Sequence, residues 1–380
     1  MLGVNSVVEY ERWTSAPMAT IKSLMSKAQR MSEQTSEPLL GLTLDLSKCF
    51  WQFPLAVGDI PYQQTDALGR RMLGTRLGMG NKASPGHVCT ATTAFADAFE
   101  ERQNLGRSRP DVGTGAYVDD TALVSVASAA QRHSLAFVRS AESVGLQISR
   151  SKALDVGNPA PVFEFLGYTV SLADRKVYVP TSKVSKAVTL IDGLIGRSSV
   201  PPRRSTVESL VGLLCYVAEA ILPAKPRCRP LFSWMARNPH AATLPVNPDV
   251  RAALVWWRHA LLHQRGRSFP RRHDPTTDPV LYTDASLGGW GGFLVWPDGS
   301  RWAAYGTWPE TQHLISDDIS MLELACVAIL CENWKAALEG TVTLVRCDNM
   351  AAVHCIRRGF CGSIRMARVL APLFSSMQPV

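Results

Sequence analysis

The sequence lacks the features of membrane, secreted and zinc-binding proteins. It has no apolar run of 18 residues, and its best candidate, residues 211–222, contains Glu219 and is too short to cross a bilayer. The N-terminus shows no basic segment followed by an apolar stretch, which excludes a recognisable secretory signal. The nine cysteines form no CxxC pair and have no His/Cys spacing suited to zinc. These absences predict an intracellular protein, cytoplasmic or nuclear, with reduced thiols.

Positive charge is concentrated in one part of this 380-residue chain. The whole sequence has a formal charge of +8, whereas residues 181–273 hold 15 lysines and arginines against four acidic residues, a local balance of +11. The overall composition, 46% hydrophobic and 19% charged, is that of a globular protein with two or three domains. The basic region suits contact with a phosphate backbone, and a solvated basic face explains the charge equally well.

Three aspartates in the first half are placed to meet at one end of a sheet. Asp45 ends an apolar strand segment, and Asp119 and Asp120 lie at the tip of a predicted hairpin over residues 116–126. Three carboxylates there would form an oxygen-rich site for Mg²⁺, and two such ions suit phosphoryl transfer. Aspartate is also a preferred turn residue, so taken alone the Asp119 and Asp120 pair is more typical of a solvated turn.

Five segments around these aspartates resemble, in order, the motifs of reverse transcriptases. They are DLSKCFWQFPL (45–55), LGMGNKASP (77–85), YVDD (117–120), GL (145–146) with a lysine at 152, and FLGY (165–168). The second segment has Gly78 where the family usually has proline. No single segment is decisive. The ordered series over residues 45–171 makes this part of the chain similar to a reverse transcriptase palm.

The resemblance assigns a role to each aspartate and to two nearby residues. Asp45 and Asp119 would ligate two Mg²⁺ ions, with Asp120 as a third carboxylate beside them. Phe50 would lie beneath the incoming sugar and favour deoxynucleotides, although a phenylalanine here also suits a core position. Lys152 would donate a proton to pyrophosphate, and a solvated surface lysine is nearly as good an interpretation.

The same resemblance implies the substrates. Met79 and Gly80 would contact the nucleotide and the template base. Gly167 would allow the close backbone approach that holds the primer end, unless it is simply a turn glycine. The implied partners are an RNA template, a DNA primer, RNA:DNA hybrid and dNTPs. Residues 205–231 resemble the thumb that follows the palm, whereas the tryptophan pair 256–257 is expected to pack in the core.

A second set of carboxylates follows the basic region. The segment VLYTDASLGGWGG (280–292) resembles the opening strand and turn of a ribonuclease H domain, with Asp284, Glu323 and Asp348 as its acids. The resemblance implies two Mg²⁺ ions that activate water against the RNA strand of a hybrid. Taken singly, the three residues also suit a turn, a solvated helix position and a helix N-cap. The family's fourth acid and nearby histidine are not found before residue 380, so nuclease activity is expected to be weak or absent.

Together these features predict an α+β protein. It would have a reverse transcriptase palm of antiparallel sheet with packed helices, a helical thumb or connection, and a truncated ribonuclease-H-like α/β domain. The expected boundaries are a fingers remnant (1–44), the palm (45–180), the basic thumb (181–264), a linker (265–279) and the incomplete ribonuclease H domain (280–380). The front end shows no strand pair with arginine or lysine of the kind that grips a triphosphate, which predicts a weak hold on the nucleotide.

The leading hypothesis is an RNA-directed DNA polymerase of a retroelement. The order of its segments, with His313 ahead of a Leu-Glu-Leu helix, is similar to DIRS-like elements, which use a tyrosine recombinase. A rival is a catalytically inactive remnant that only binds RNA or hybrid through its basic segment. An RNA polymerase with a similar palm is disfavoured by Phe50 and by the nuclease-like segment.

Overall fold

The computed structural model describes residues 18–67, 69–81, 83–149, 158–196, 201–221, 224–263, 266–269, 272–309 and 318–376. The chain forms two compact units, residues 1–178 and 179–380. Both combine helices with mainly antiparallel sheet, which is the α+β fold that the sequence predicts. Among the described residues, no helix is both long and apolar enough to cross a membrane.

The first unit alternates strands and helices along the chain. In its described residues the elements are α1 (Ile21–Ser32), β1 (Leu39–Asp45), α2 (Cys49–Gln52), β2 (Gln64–Ala67), β3 (Arg70–Leu73), α3 (Ser84–Asn104), β4 (Val112–Tyr117), β5 (Asp120–Val126), α4 (Ala130–Ser143), β6 (Val162–Phe165), β7 (Tyr168–Ser171) and β8 (Lys176–Tyr178). The predicted hairpin around the two adjacent aspartates is therefore confirmed as β4 and β5.

The core of the first unit lies between its central sheet and two helices. Strand β5 is flanked by β1 and β4, all antiparallel, and Leu44 and Leu123 are fully buried on the face toward α3 and α4. The Phe137 ring of α4 meets Phe95 and Phe99 of α3 edge-on, with ring centroids 5.1 and 5.0 Å apart. Such aromatic contacts add to the burial of apolar area and fix the two helices against the sheet.

A glycine in β1 lets a second sheet approach the first. Gly41 and Ala160 exchange two backbone hydrogen bonds of 2.8 and 2.9 Å. A Cβ atom on Gly41 would lie 2.4 Å from a ring carbon of Phe163, so only glycine fits without a shift. Strands β6, β7 and β8 form an antiparallel meander behind this contact.

A strand pair that carries arginines is present, but it follows Asp45 along the chain. Strands β2 and β3 pair antiparallel, and Arg70 and Arg71 lie on β3. Ahead of β1, the described residues 18–38 contain helix α1 and no strand. The described residues before β1 therefore contain no basic strand pair.

The second unit has a helical part followed by a sheet with helices. In its described residues the elements are α5 (Thr181–Gly196), α6 (Arg204–Val217), α7 (Ala224–Arg227), α8 (Arg229–Ala236), α9 (Pro248–His263), β9 (Arg267–Ser268), β10 (Val280–Ala285), β11 (Gly289–Val295), β12 (Arg301–Thr307), α10 (Ile319–Asn333), α11 (Lys335–Leu338), β13 (Leu344–Arg346), α12 (Met350–Arg358) and α13 (Ile364–Ser376).

Each part of the second unit has its own core. Helices α5, α6, α8 and α9 pack around Leu214 and Trp257, and Trp256 packs against this cluster. The Trp257 side chain is fully buried, which confirms the prediction that the tryptophan pair packs in the core.

The sheet of the second unit has the order β12–β11–β10–β13, and only β10 and β13 are parallel. Helix α10 packs on one face through Leu322 and Leu330. A Cβ atom on Gly292 would lie 2.4 Å from a Leu330 methyl carbon and 2.4 Å from the Tyr282 carbonyl oxygen. The absence of a side chain at this position therefore allows the helix to reach the sheet.

Candidate active site

The register of the first sheet brings Asp45 and Asp120 directly opposite each other. Asp45 is the last residue of β1 and Asp120 is the first residue of β5, and the two strands run antiparallel. Asp119 lies in the two-residue loop between β4 and β5, and its carbonyl oxygen accepts a hydrogen bond of 3.0 Å from the Leu46 amide. All three aspartates are half-buried, so their carboxylates remain reachable from solvent at this end of the sheet.

The loop that carries Asp119 is strained. Val118 has a φ of +55°, in the left-handed region that β-branched residues rarely adopt. Such a conformation costs about 1–3 kcal/mol and persists where the surrounding structure enforces it, often at functional sites. Here the flanking pair of Tyr117 and Asp120 and the Leu46 contact hold the loop.

Two of the aspartates act on the same buried thiol. The pKa of Cys49 is raised to about 12, first by burial and then by the negative charges of Asp119 and Asp45. The pKa of Cys89, in α3, is also raised by burial and by Asp119. Asp45 and Asp119 therefore lie close to a common point near the first residue of α2, a convergence that strand alternation alone does not reveal.

The three carboxylates form an open set. Among the described residues, their oxygens do not all lie within 4.8 Å of one another. Carboxylate oxygens are the ligands that Mg²⁺ prefers, and a pair of ions about 4 Å apart needs a wider set than one ion does. The donor chemistry of the site therefore fits hard divalent cations.

Gln52 holds the segment that leaves β1. Its side-chain amide nitrogen donates to the carbonyl oxygens of Ser47 and Gln147, at 2.5 and 2.9 Å, and its oxygen accepts from the Gln147 amide at 2.7 Å. The Ser149 amide donates to the Asp45 carbonyl oxygen at 2.7 Å. Gln52 thus fixes the backbone beside Asp45. Gln52 lies within the first motif, but the sequence pattern predicts no separate role for it.

The predicted nucleotide contacts lie beside this site. Phe50 is half-buried in α2 and packs in a cluster with Leu77 and Val118, so it has a core role whatever else it does. The Leu77 amide donates to a backbone carbonyl after α2, which brings the loop with Met79 and Gly80 alongside. Met79 is 71% exposed, and Gly80 has a φ of +96°.

Two further predicted residues of the first unit are Lys152 and Gly167. Lys152 lies outside the described residues. Gly167 has a φ of +74° and follows Leu166 with a φ of +52°, so the pair forms the tight turn between β6 and β7. Positive φ at both positions explains glycine here by turn geometry, and a further role toward a primer stays a prediction.

The second unit brings two predicted acids together with a cysteine. Oxygens of Glu323 and Asp348 and the Cys347 sulfur all lie within 4.8 Å of one another. Asp284, at the exposed face of β10, is not part of this group, although its charge acts on Glu323. The predicted trio is therefore incomplete as a compact cluster, because Asp284 points away from the face on which α10 packs.

Glu323 is a buried acid. It is 3% exposed, and its carboxylate accepts hydrogen bonds from the Ala285 amide at 3.2 Å and from the Cys347 thiol at 3.7 Å. Burial raises its pKa, and Asp348 and Asp284 raise it further. Cys347 has no counterpart in the sequence prediction. It precedes Asp348 in the chain, and its contact with Glu323 depends on how the fold places α10.

A comparison with protein families gives a match within the first unit. Residues 7–170 match the family described as reverse transcriptase (RNA-dependent DNA polymerase), and this range contains Asp45, Asp119 and Asp120. No curated protein sequence matches the chain significantly.

Solved structures with a similar fold include the foamy viral protease-reverse transcriptase in complex with RNA/DNA hybrid. It is 16% identical with a TM-score of 0.51, and the match covers 94% of this chain and 45% of that chain. The dRH form in complex with ds DNA is 16% identical with a TM-score of 0.48, and the match covers 93% of this chain and 58% of that chain. The protein in complex with dsDNA is 16% identical with a TM-score of 0.48, and the match covers 90% of this chain and 65% of that chain. The chain spans less than two thirds of each of these proteins. At 16% identity, the likeness to the complex with RNA/DNA hybrid, with its TM-score of 0.51, shows a shared fold alone.

Proposed function

We propose that this chain is an RNA-directed DNA polymerase of a retroelement, which extends a DNA primer on an RNA template with dNTPs. The observation that carries the proposal is the placement of Asp45 directly opposite Asp120, with Asp119 in the adjoining loop. The reverse transcriptase family match over residues 7–170 supports it, because it spans all three aspartates.

The aspartates would hold the catalytic ions. Asp45 and Asp119 are the proposed ligands of two Mg²⁺ ions, and Asp120 is the third carboxylate beside them. When bound, the ions supply activation of the primer 3′-hydroxyl and charge neutralisation of the leaving pyrophosphate. The strained Val118 loop and the Gln52 clamp would keep the carboxylates in place during this step.

Other residues would position the substrates. Phe50 beneath the sugar would disfavour a 2′-hydroxyl, while Met79 and Gly80 would contact the nucleotide and the template base. Gly167 would lie against the primer end, and Lys152 would donate a proton to pyrophosphate. The exposure of Met79 and the turn geometry of Gly167 suit these roles.

Primer extension tests the proposal. Wild-type protein with a DNA primer, an RNA template, dNTPs and Mg²⁺ should extend the primer, and Asp119→Asn should abolish the reaction. Asp97→Asn, an exposed aspartate of α3, is the matched control and should retain activity. Salt-sensitive RNA binding without extension by the wild type would instead identify an inactive nucleic-acid-binding remnant.

Residues 280–380 of the second unit would be a partial ribonuclease-H-like domain. Asp284, Glu323 and Asp348 are its proposed Mg²⁺ ligands, acting on the RNA strand of a hybrid. Because Glu323 is buried and its pKa is raised, we expect weak or absent cleavage. Efficient cleavage of RNA:DNA hybrid that is lost in Asp348→Asn would contradict this expectation. The DIRS-like subtype and an intracellular location belong to the same proposal.

A further inference from the structure

A groove lined by arginines lies between α3 and α4, on the helical side of the first unit. Its volume is about 570 Å³. The polar residues that matter here are three arginines and two glutamines: Arg102 and Gln103 at the end of α3, and Gln131, Arg132 and Arg139 on α4. No acidic residue lines the groove.

The three arginines are not neutralised by carboxylates. All three side chains are exposed. Ion pairs elsewhere in the first unit join Lys27 to Glu100 and Arg107 to Asp111, whereas none of the three pairs with an acid among the described residues. Exposed arginines usually find acidic neighbours on a mixed surface, so three together without one create a locally positive potential.

Arg132 stands where a positive charge is unfavourable to its own helix. It lies in the first turn of α4, which contains no acidic residue. The positive end of the helix dipole is there, so anions are favoured and cations are not. The adjacent His133 is fully buried, and burial together with the Arg132 charge lowers its pKa to about 4. A bound anion would offset the Arg132 charge at this end of the helix.

The arginines are spaced along a line. Arg132 and Arg139 are seven residues apart on one face of α4, which corresponds to about 10 Å along the helix axis. Nucleic acid strands advance about 3.4 Å per phosphate in a duplex, so the two side chains could reach phosphates a few nucleotides apart. Between them Leu135 is 41% exposed and provides an apolar surface in the groove.

The groove is distant from the carboxylates. Cys89, whose pKa responds to Asp119, lies near the start of α3, and Arg102 lies 13 residues further along the same helix. At 1.5 Å per residue this is about 20 Å. The groove is therefore separate from the proposed polymerase site.

We propose that this groove binds the phosphate backbone of a nucleic acid strand outside the polymerase site. Guanidinium groups match phosphate oxygens with two parallel hydrogen bonds, and the glutamine amides add neutral donors. The choice of a nucleic acid over an acidic peptide rests on the proposed function, which already brings strands to this unit. The affinity of the groove for polyanions does not depend on polymerase activity.

The test measures binding by the full chain of a 5′-fluorescein-labelled, single-stranded 12-nucleotide RNA by fluorescence anisotropy, across a salt series. The double variant Arg132→Gln/Arg139→Gln should weaken binding about 25-fold at 0.1 M salt and flatten the log–log salt slope by about 1.4, since each phosphate contact contributes about 0.7 on a single strand. The matched control Lys22→Gln/Arg30→Gln, on α1, should leave binding unchanged.

Crosslinking then locates the strand. A 4-thiouridine-substituted RNA of the same length should crosslink to peptides of α3 and α4 in the wild type and lose these crosslinks in the arginine variant. Equal affinity of the two double variants, or crosslinks that are unaffected, would overturn the proposal. Tighter binding of a polyglutamate peptide that displaces the RNA would overturn it in favour of an acidic protein partner. Primer extension is scored separately, so failure of the polymerase proposal is distinguishable.

Discussion

The two acidic sites of this chain are built in different ways. In the first unit, Asp45, Asp119 and Asp120 are half-buried and form an open set, held by strand register and one strained loop. In the second unit, Glu323 is nearly fully buried and forms a compact group with Asp348 and a thiol. An open set of half-buried carboxylates stays accessible to cations and substrate, whereas burial raises the pKa of Glu323 and disfavours its charged form. The carboxylates of the first site are therefore more accessible to cations than Glu323 of the second.

Removal of one acid from each site is the most direct test of the difference between the two sites. Asp45→Asn should lower primer extension on the order of 10³-fold, because loss of a metal ligand removes several kcal/mol of charge stabilisation. Asp348→Asn should leave extension unchanged, since its site lies in the other unit. Steady-state extension rates at saturating dNTP measure both. Equal losses in the two variants would show that the sites do not act independently.

The first unit contains a buried histidine, whereas no histidine is buried among the described residues of the second unit. We therefore expect acid to lower the stability of the first unit through this residue. His133 is fully buried, accepts or donates a 2.8 Å hydrogen bond with Ser125, and has a pKa lowered to about 4. The unfolded chain protonates this histidine near pH 6.5, so its contribution is full above pH 6.5 and is lost as the pH falls toward 4. The loss is on the order of 3 kcal/mol.

Urea unfolding of the full chain at pH 7, 5.5 and 4.5 measures this effect. His133→Gln should be less stable than wild type at pH 7 and should show a smaller decrease as the pH falls. An identical pH dependence in the variant would mean that other groups control acid sensitivity.

Alanine substitutions at Gly41 and Gly292 test how tightly the two sheets are packed against their neighbours. Gly292→Ala should cost about 3 kcal/mol, because the new methyl group meets a backbone carbonyl oxygen that cannot move independently of β10. Gly41→Ala should cost less, about 1–2 kcal/mol, because it meets only the Phe163 ring, which can rotate. Gly58→Ala, with open space around it, is the control. Urea midpoints that rank Gly41→Ala as the more damaging variant would contradict this order.

Local pattern and motif order predicted the first site better than the second. The apolar strand before Asp45 and the hairpin around Asp119 follow from residue alternation and turn chemistry, and the register then brings the aspartates together. Cys347 could not be predicted, because its approach to Glu323 depends on how α10 packs against the end of β13. The arginine groove likewise requires the packing of α3 on α4, which the sequence does not state.

Gln52 allows the smallest and sharpest test of the open site, because its hydrogen bonds hold the Ser47 and Gln147 backbone beside Asp45. Gln52→Met keeps the side-chain length but removes all three hydrogen bonds to Ser47 and Gln147. Extension should fall about tenfold, through kcat rather than KM, since loss of about 1.4 kcal/mol of positioning affects the chemical step. Gln52→Glu should recover part of the loss, because its carboxylate still accepts from the Gln147 amide. If Gln52→Met also lowers the free energy of unfolding by about 1.4 kcal/mol, the amount that a tenfold loss of kcat represents, Gln52 contributes to folding and the carboxylates do not need it for alignment.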